Sequence, residues 1–247
     1  MRPARKGIYV LPNLFTAASL FSGFFGIVST FNGEFTRAAV AILVSALLDS
    51  LDGKVARLTG TTSRFGVEFD SLADVIAFGV TPGALVYAWA LRPFDKLGWL
   101  AAFLYVACTA LRLARFNVQI STVDSKRFNG LPSPAAASMI ATTILLFAHF
   151  EVDEPARPVP VLLMVFALAF LMVSNFKYNS FKDVELYRRQ PFYTLVLFIL
   201  LLLIVAYEPQ IMLFTIAFIY AGSGPVSALL ALGKRRRLRP APATEGP

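Results

Sequence analysis

Long apolar runs recur along this 247-residue chain, separated by short polar links. Each run has about 17 to 22 residues, and a helix of that length spans the ~30 Å hydrocarbon core of a bilayer. The composition agrees, since 57% of the residues are hydrophobic and only 15% are charged. A soluble domain of this size would need more charge to cover its surface. We therefore predict an all-α fold, a polytopic membrane helical bundle.

The apolar runs predict eight transmembrane helices. Their predicted bounds are Leu11–Phe31, Arg37–Leu58, Asp70–Leu91, Leu97–Arg115, Ser133–Phe150, Pro158–Phe176, Pro191–Tyr207 and Ile211–Leu232. Together they form one membrane domain, residues 1–232, followed by a basic tail, residues 233–247. We expect the tail to be disordered and its clustered Lys and Arg to bind anionic headgroups.

The basic residues are distributed unevenly between the two ends of the predicted helices. Nineteen of the 23 Lys and Arg residues fall on one side, and the other side holds only Arg37, Arg92, Lys96 and Arg157. Because Lys and Arg are retained on the cytoplasmic side, both termini are predicted to be cytoplasmic. The Arg- and Ala-rich ends of the chain indicate a bacterium, so the predicted location is the inner membrane of a bacterium. The net charge of +8 comes from short clusters between apolar runs, so we predict a lipid bilayer and no nucleic acid as partner.

Four aspartates lie at the adjoining ends of the second and third predicted helices. A helix turns by ~100° per residue, so Asp49, Asp52 and Ala56 share one face within about 60°. Asp70 and Asp74 are one turn apart on the next helix. The polar link between these helices is short, which makes them antiparallel neighbours. We therefore predict that the four carboxylates converge at the cytoplasmic end of the bundle.

Carboxylates gathered in a small volume repel one another unless cations intervene. A set of oxygen ligands selects hard cations, so Mg²⁺ or Mn²⁺ is the predicted cofactor. Such ions keep open positions for phosphate oxygens, which indicates phosphoryl chemistry. Gly53 and Gly66 lack side chains, and the side chain of Ala56 is only a methyl group. These small residues leave room for a bulky ligand. With one Cys and one His in the chain, disulfide frameworks, zinc patterns and His-based triads are not expected.

Two other interpretations of the aspartates are open. They could simply pair with Lys54, Arg57 and Arg64 at a wet interface. They could also belong to a cation transporter, although carriers place such groups near the bilayer midplane, often in paired halves. Glu68 provides an internal comparison, because it points about 160° away from Asp70 on the helix and is predicted to be solvated.

The pattern D-x-x-D-G-x-x-A-R-x8-G-x3-D-x3-D, from Asp49 to Asp74, resembles the signature of the CDP-alcohol phosphotransferases. The resemblance implies that Asp49, Asp52 and Asp70 bind metal in a two-metal site. It implies that Asp74 shares the second metal or acts as general base. It also implies a CDP site formed by Asp52, Gly53, Ala56, Arg57 and Gly66. The implied reaction is direct in-line attack by an alcohol with CMP as leaving group, and the implied assembly is a homodimer.

Further stretches resemble the membrane-embedded phosphatidylserine synthases of that family. They are residues 110–117, residues 127–136, Leu11-Pro12-Asn13-x-x-Thr16 and Tyr178-x-Ser180-Phe181-Lys182. The resemblance implies CDP-diacylglycerol and L-serine as substrates. Serine carries a carboxylate and an ammonium group, so its site needs a cation and several acceptors. The predicted acceptor-site residues are Arg112, Arg115, Asn117 and Asn129, beside the turn Gly130-Leu131-Pro132.

Alternatives remain open for the acceptor site. Arg112 and Arg115 could anchor the cytoplasmic side of the bundle or bind the lipid diphosphate. The acceptor could also be phosphorylated, as in phosphatidylglycerophosphate and phosphatidylinositol phosphate synthases, which would require a denser cationic pocket. Several other small or polar residues are assigned to helix packing. These are Cys108, His149 and two pairs in the first predicted span, Ser19 with Gly23 and Ser22 with Gly26.

Overall fold

The computed structural model describes residues 10–59, 63–119, 127–152, 155, 158–179, 196, 199–200 and 207–237. Within these residues the fold is helical, apart from one pair of three-residue strands. The α-helices are α1 (Val10–Phe31), α2 (Phe35–Thr59), α3 (Arg64–Asp74), α4 (Thr81–Val86), α5 (Asp95–Gln119), α6 (Ser133–His149), α7 (Val159–Val173) and α8 (Pro209–Arg237). The strands are β1 (Arg127–Asn129) and β2 (Lys177–Asn179).

Three helices in the described part of the chain are long and apolar enough to cross a membrane. They are Pro12–Phe31, Arg64–Val118 and Pro209–Ala228, while α6 and α7 are apolar but shorter. The second predicted span forms α2 but is not among the three, since Arg37, Asp49 and Asp52 interrupt its apolar sequence. The seventh predicted span, Pro191–Tyr207, lies almost entirely outside the described residues. The helical membrane architecture is therefore present.

The longest apolar segment contains the third and fourth predicted spans and reverses direction between them. The reversal occurs at Asp95, where φ is +46°. Next to the reversal, Gly98 packs directly against the backbone of Leu91. Farther from the turn, Gly79 before it faces Thr109 after it, and a Cβ built on Gly79 would lie 3.3 Å from the side chain of Thr109. Since residues before and after the turn pair in reverse order, the two spans form an antiparallel helical hairpin.

Two π-helical segments, Val75–Val80 and Tyr87–Leu91, follow α3 and α4 respectively. The first begins directly after Asp74, and π-helical segments often occur beside functional sites. The hydroxyl of Thr81 donates to the backbone carbonyl of Ile76 at 2.9 Å, and the same carbonyl accepts from the backbone N–H of Thr81. This segment belongs to the buried core, which also includes residues of α2, α5, α6 and α7.

The first helix packs closely on α2 and on the first π-helical segment through small residues. A Cβ built on Gly23 would lie 2.8 Å from the Cα of Ala77. The Ser22 hydroxyl donates to the backbone carbonyl of Ala41 at 2.8 Å, and the Ser19 hydroxyl lies 2.6 Å from that of Ser45. The packing role predicted for the small residues of the first span is confirmed.

A short antiparallel ribbon of β1 and β2 was not predicted from the sequence, because three-residue strands are too short to show an alternating pattern. Phe128 pairs with Tyr178 at its centre, and Gly130 turns the chain after β1 with φ of +83°. Tyr178 is fully buried, and its hydroxyl donates to the backbone carbonyl of Ala221 at 2.9 Å. The ribbon thereby attaches α8 to the rest of the bundle.

Two helix boundaries differ from the predicted ones. The third predicted span begins at Asp70, but α3 begins at Arg64, where the Ser63 side chain caps it. Asp70 and Asp74 therefore lie in the second half of α3 and not at the start of a helix. The last helix, α8, continues through Arg237, so residues 233–237 of the predicted tail are helical. Residues 238–247 lie outside the described part.

Candidate functional site

Three of the predicted metal ligands meet where α2 faces α3. One carboxylate oxygen from each of Asp49, Asp70 and Asp74 lies within 4.8 Å of the others. The orientation of α3 follows from its start, where the hydroxyl of Ser63 accepts from the backbone N–H of Gly66 at 3.0 Å. This N-cap starts the helix so that two carboxylates one turn apart face α2. The predicted convergence of the two helices is therefore present for these three residues.

Asp52, the fourth predicted ligand, lies beside this cluster with a different partner. Its side chain is buried, and Oδ2 accepts a hydrogen bond from the hydroxyl of Thr16 at 2.8 Å. Thr16 belongs to α1, so three helices contribute to the site. Asp52 remains close enough to Asp49 and Asp70 for their charges to interact. The four aspartates thus form one acidic region with a tight group of three at its centre.

The first helix also contacts the predicted nucleotide-binding residues. A Cβ built on Gly66 would lie 3.2 Å from Oδ1 of Asn13, so α1 approaches the start of α3 closely. Thr16 and Asn13 were not predicted as site residues. Their signal was present, since both belong to the segment Leu11-Pro12-Asn13-x-x-Thr16 that carried the subgroup resemblance. Assigning them a place required the packing of α1 on α2 and α3, which is not local in sequence.

The remaining predicted nucleotide-binding residues lie on the C-terminal half of α2. Gly53 is half-buried next to Asp52. The side chains of Ala56 and Arg57 lie outside the described residues. Glu68, the comparison residue on α3, is exposed, as predicted.

Among the predicted acceptor-site residues, Arg112 lies close enough to the aspartates for their charges to interact. Its Nη1 donates to the hydroxyl of Ser133 at 2.7 Å, and its charge interacts with those of Asp74 and Asp49. Its Nε is buried and has no hydrogen-bond partner among the described residues. An unsatisfied donor on a buried charged group is costly, so this atom is a candidate to bind a ligand oxygen.

The other three acceptor-site predictions fall in different places. Asn117 donates from Nδ2 to the hydroxyl of Ser71 at 2.9 Å, next to Asp70 on α3. Arg115 donates to Oδ1 of Asn175 at 2.7 Å and to the carbonyl of Val173 at 3.5 Å. That places Arg115 at the C-terminus of α7, where a basic side chain stabilises the helix end. Asn129 lies on β1, and its side chain is outside the described residues.

The chemistry of this donor set fits a hard divalent cation. Several carboxylates face one another, and among the described side chains Arg112 is the cation whose charge interacts with those of Asp49 and Asp74. In the described part of the chain the ion pairs are Arg37 with Glu34 and His149 with Glu208, and none involves a site aspartate. Lys54 and Arg64 are exposed. The alternative in which these aspartates simply pair with Lys54 and Arg64 is therefore not supported, and divalent cations would balance the clustered charge.

Comparison with known proteins gives a consistent result. Residues 9–174 match the profile of the CDP-alcohol phosphatidyltransferase family. The chain is 43% identical over 196 residues to a CDP-diacylglycerol–serine O-phosphatidyltransferase of Helicobacter pylori strain 26695, covering 79% of this chain and 80% of the relative. It is 38% identical over 170 residues to an archaetidylserine synthase of Methanothermobacter thermautotrophicus, covering 68% and 69% respectively. All four site aspartates lie within the matched residues 9–174.

Proposed function

This chain belongs to the CDP-alcohol phosphatidyltransferase family, and we propose that it transfers the phosphatidyl group of CDP-diacylglycerol to L-serine, giving phosphatidylserine and CMP. The observation that carries the proposal is the convergence of Asp49, Asp70 and Asp74 within 4.8 Å. The serine acceptor is supported by the bacterial and archaeal relatives, which are a CDP-diacylglycerol–serine O-phosphatidyltransferase and an archaetidylserine synthase. Arg112 supplies the nearby cation that an amino-acid carboxylate requires.

The carboxylates of Asp49, Asp52, Asp70 and Asp74 would hold two Mg²⁺ or Mn²⁺ ions. Bound there, such ions would neutralise the diphosphate of the CDP-lipid and would stabilise CMP as the leaving group. Asp74 takes the proton from the serine hydroxyl, as a carboxylate within ~3 Å of that group can do. The serine oxygen attacks the phosphorus that carries the diacylglycerol, and the bond from that phosphorus to the oxygen of CMP breaks. No covalent intermediate with the enzyme is needed.

Around this centre the remaining residues have proposed positions. The nucleotide lies against the small residues Gly53, Ala56 and Gly66, with Arg57 beside it. Thr16 holds Asp52 by its hydrogen bond and so keeps one carboxylate fixed. For the acceptor, Arg112 binds the carboxylate of serine and Asn117 lies beside Asp70 through Ser71. The hydrogen bonds of Arg115 favour a structural role at the end of α7.

The membrane arrangement is part of the proposal. Eight transmembrane helices with cytoplasmic termini place the aspartates at the cytoplasmic face of a bacterial inner membrane. Both substrates are accessible there, since a CDP-lipid has its headgroup at the interface and serine is water-soluble. The family resemblance also indicates a homodimer. A phosphorylated acceptor in the same fold is the second candidate, and it requires further cations near Arg112.

The decisive experiment is a CMP-release assay on the purified chain with CDP-diacylglycerol and a single acceptor at a time. We expect release with serine, in the presence of Mg²⁺ or Mn²⁺ and not after chelation by EDTA. Asp74→Asn should lower kcat by about 10²- to 10⁴-fold because it removes the base, whereas Glu68→Gln, an exposed change on the same helix, should not. Release only with glycerol 3-phosphate or inositol phosphate would replace the acceptor, and no release with any alcohol would refute the proposed function.

A further inference from the structure

Two contacts between the spans of the helical hairpin fix the level at which Arg112 lies. They are a hydrogen bond of 2.9 Å between Asn117 and Ser71 and the close packing of Thr109 on Gly79. Because the two spans are antiparallel, the middle of residues 109–117 faces the middle of residues 71–79. Arg112 and Asp74 each lie next to one of these midpoints. The side chain of Arg112 therefore leaves α5 at the level of Asp74.

The guanidinium of Arg112 has one nitrogen with a partner and another without one. Nη1 donates to the hydroxyl of Ser133 at 2.7 Å. Nε is buried and has no hydrogen-bond partner among the described residues. A buried donor on a cation is costly when it is left unsatisfied, so an oxygen of a bound ligand would stabilise it. Since Asp74 takes the proton of the acceptor in the proposed reaction, the acceptor is a ligand that reaches this level.

Ser133 is held in a fixed place at the start of α6. It is fully buried and lies between Pro132 and Pro134, whose rings restrict the backbone on either side of it. The preceding residue, Leu131, is also fully buried, and its backbone N–H donates to the carbonyl of Leu171 at 3.0 Å. The hydroxyl of Ser133 is therefore a rigid point against which a longer side chain can be oriented.

A hydrogen bond to Nη1 determines how the rest of the guanidinium is presented. The group is planar, so fixing one terminal nitrogen fixes the direction in which the Nε–H bond points. A carboxylate can bind the edge formed by Nε and Nη2 through two parallel hydrogen bonds. Ser133 engages the other terminal nitrogen, so it orients this edge without competing for it.

We propose that Ser133 is a positioning residue for the acceptor site, holding the guanidinium of Arg112 so that Nε is presented to the carboxylate of an amino-acid acceptor. This inference rests on the proposed function and extends the acceptor site to the start of α6. The aspartates act on the diphosphate and on the acceptor hydroxyl, whereas Ser133 acts through Arg112 on the acceptor carboxylate. It is therefore a determinant of acceptor affinity and not of phosphoryl transfer itself.

The test is steady-state kinetics of Ser133→Ala in the purified chain, with serine and CDP-diacylglycerol varied separately. Removing the hydroxyl leaves the guanidinium unoriented, so we expect the KM for serine to rise about tenfold. The KM for CDP-diacylglycerol and the kcat at saturating serine should stay within about twofold. Ser138→Ala is the matched control, because the hydroxyl of Ser138 on the same helix donates only to the carbonyl of Pro134 at 2.7 Å.

A second variant separates positioning from a general structural effect. In an Arg112→Lys background, adding Ser133→Ala should raise the KM for serine by less than about twofold, since the group that Ser133 orients is gone. Equal effects in both backgrounds would overturn the inference. So would a parallel rise in the KM for CDP-diacylglycerol, which would assign Arg112 to the lipid diphosphate.

The failure of this inference is distinguishable from that of the proposed function. A wild type that releases no CMP with serine would refute the proposed function, and this inference with it. An active wild type in which Ser133→Ala behaves like Ser138→Ala would refute the inference alone.

Discussion

Thr16 and Thr30 are two buried threonines of α1 whose hydroxyls have different partners. Thr16 donates to the carboxylate of Asp52 at 2.8 Å, whereas Thr30 donates to the carbonyl of Gly26 in its own helix. We expect Thr16→Val to lower kcat/KM for CDP-diacylglycerol about tenfold, because a hydrogen bond to a buried charged group is lost. The same assay titrated with Mn²⁺ should show a weaker apparent affinity for the metal.

Thr30→Val is the control for this change, since it removes a buried hydroxyl of the same helix that serves only the backbone. Its kcat/KM should remain within about twofold of the wild type, as its bond is local and neutral. Similar losses of kcat/KM in the two variants would show that removing any buried hydroxyl of α1 impairs the enzyme. The link between Thr16 and the site would then have to be abandoned.

Among individual residues, the acidic side chains of the site could be predicted from the sequence, but the residues that contact them could not. The spacing of Asp49, Asp70 and Asp74 was sufficient to predict their convergence, because these residues lie on two consecutive helices that a short link joins. Thr16 is remote in sequence from Asp52, and Asn13 is remote from Gly66. Such contacts depend on how helices pack, which local periodicity does not determine.

Among the elements, α1 packs closely on the π-helical segment after Asp74 through Gly23. A Cβ on Gly23 would lie 2.8 Å from the backbone of Ala77. We expect Gly23→Ala to destabilise the fold by about 1–3 kcal/mol, or roughly 2–12 °C in melting temperature. Activity should fall as well, because the contact adjoins Asp74. Thermal unfolding of the purified protein in detergent, followed by the CMP assay, measures both effects.

Gly222→Ala is the matched control for this element-scale prediction. A Cβ on Gly222 meets nothing within 4 Å, and alanine favours helix over glycine by about 1 kcal/mol. Its melting temperature should therefore be unchanged or higher. If Gly23→Ala behaves in the same way, α1 is free to shift away from Ala77 and the contact does not hold the site.

The helices themselves were predictable because apolar length is a strong signal, and α1, α2, α6 and α7 lie close to their predicted spans. The reversal at Asp95 falls in the predicted break between the third and fourth spans, after Leu91 and before Leu97. The two π-helical segments and the β ribbon were not found. Both depend on tertiary contacts, such as the bond from Thr81 to Gly23, rather than on any repeating pattern of side chains.

In the molecule as a whole, the aspartate site and the turn at Asp95 lie at opposite ends of the helical hairpin. Asp70 and Asp74 lie on α3, at the beginning of this helical run, whereas Asp95 lies at its far end, where φ is +46°. If the first end is cytoplasmic, the second must face the other side of the membrane. The uneven distribution of Lys and Arg predicts that orientation, and it can be tested without reference to activity.

Single cysteines report the orientation directly, because the lone Cys108 is buried and can be replaced by serine. In that background we expect Lys96→Cys to react with a membrane-impermeant maleimide in intact spheroplasts. Arg64→Cys, beside the aspartates, should react only after the membrane is permeabilised. Both native side chains are exposed, so a difference in labelling reflects the side of the membrane and not burial. Labelling of Arg64→Cys alone in intact cells would place the aspartates on the outer face, where cytoplasmic serine and CDP-lipid could not reach them.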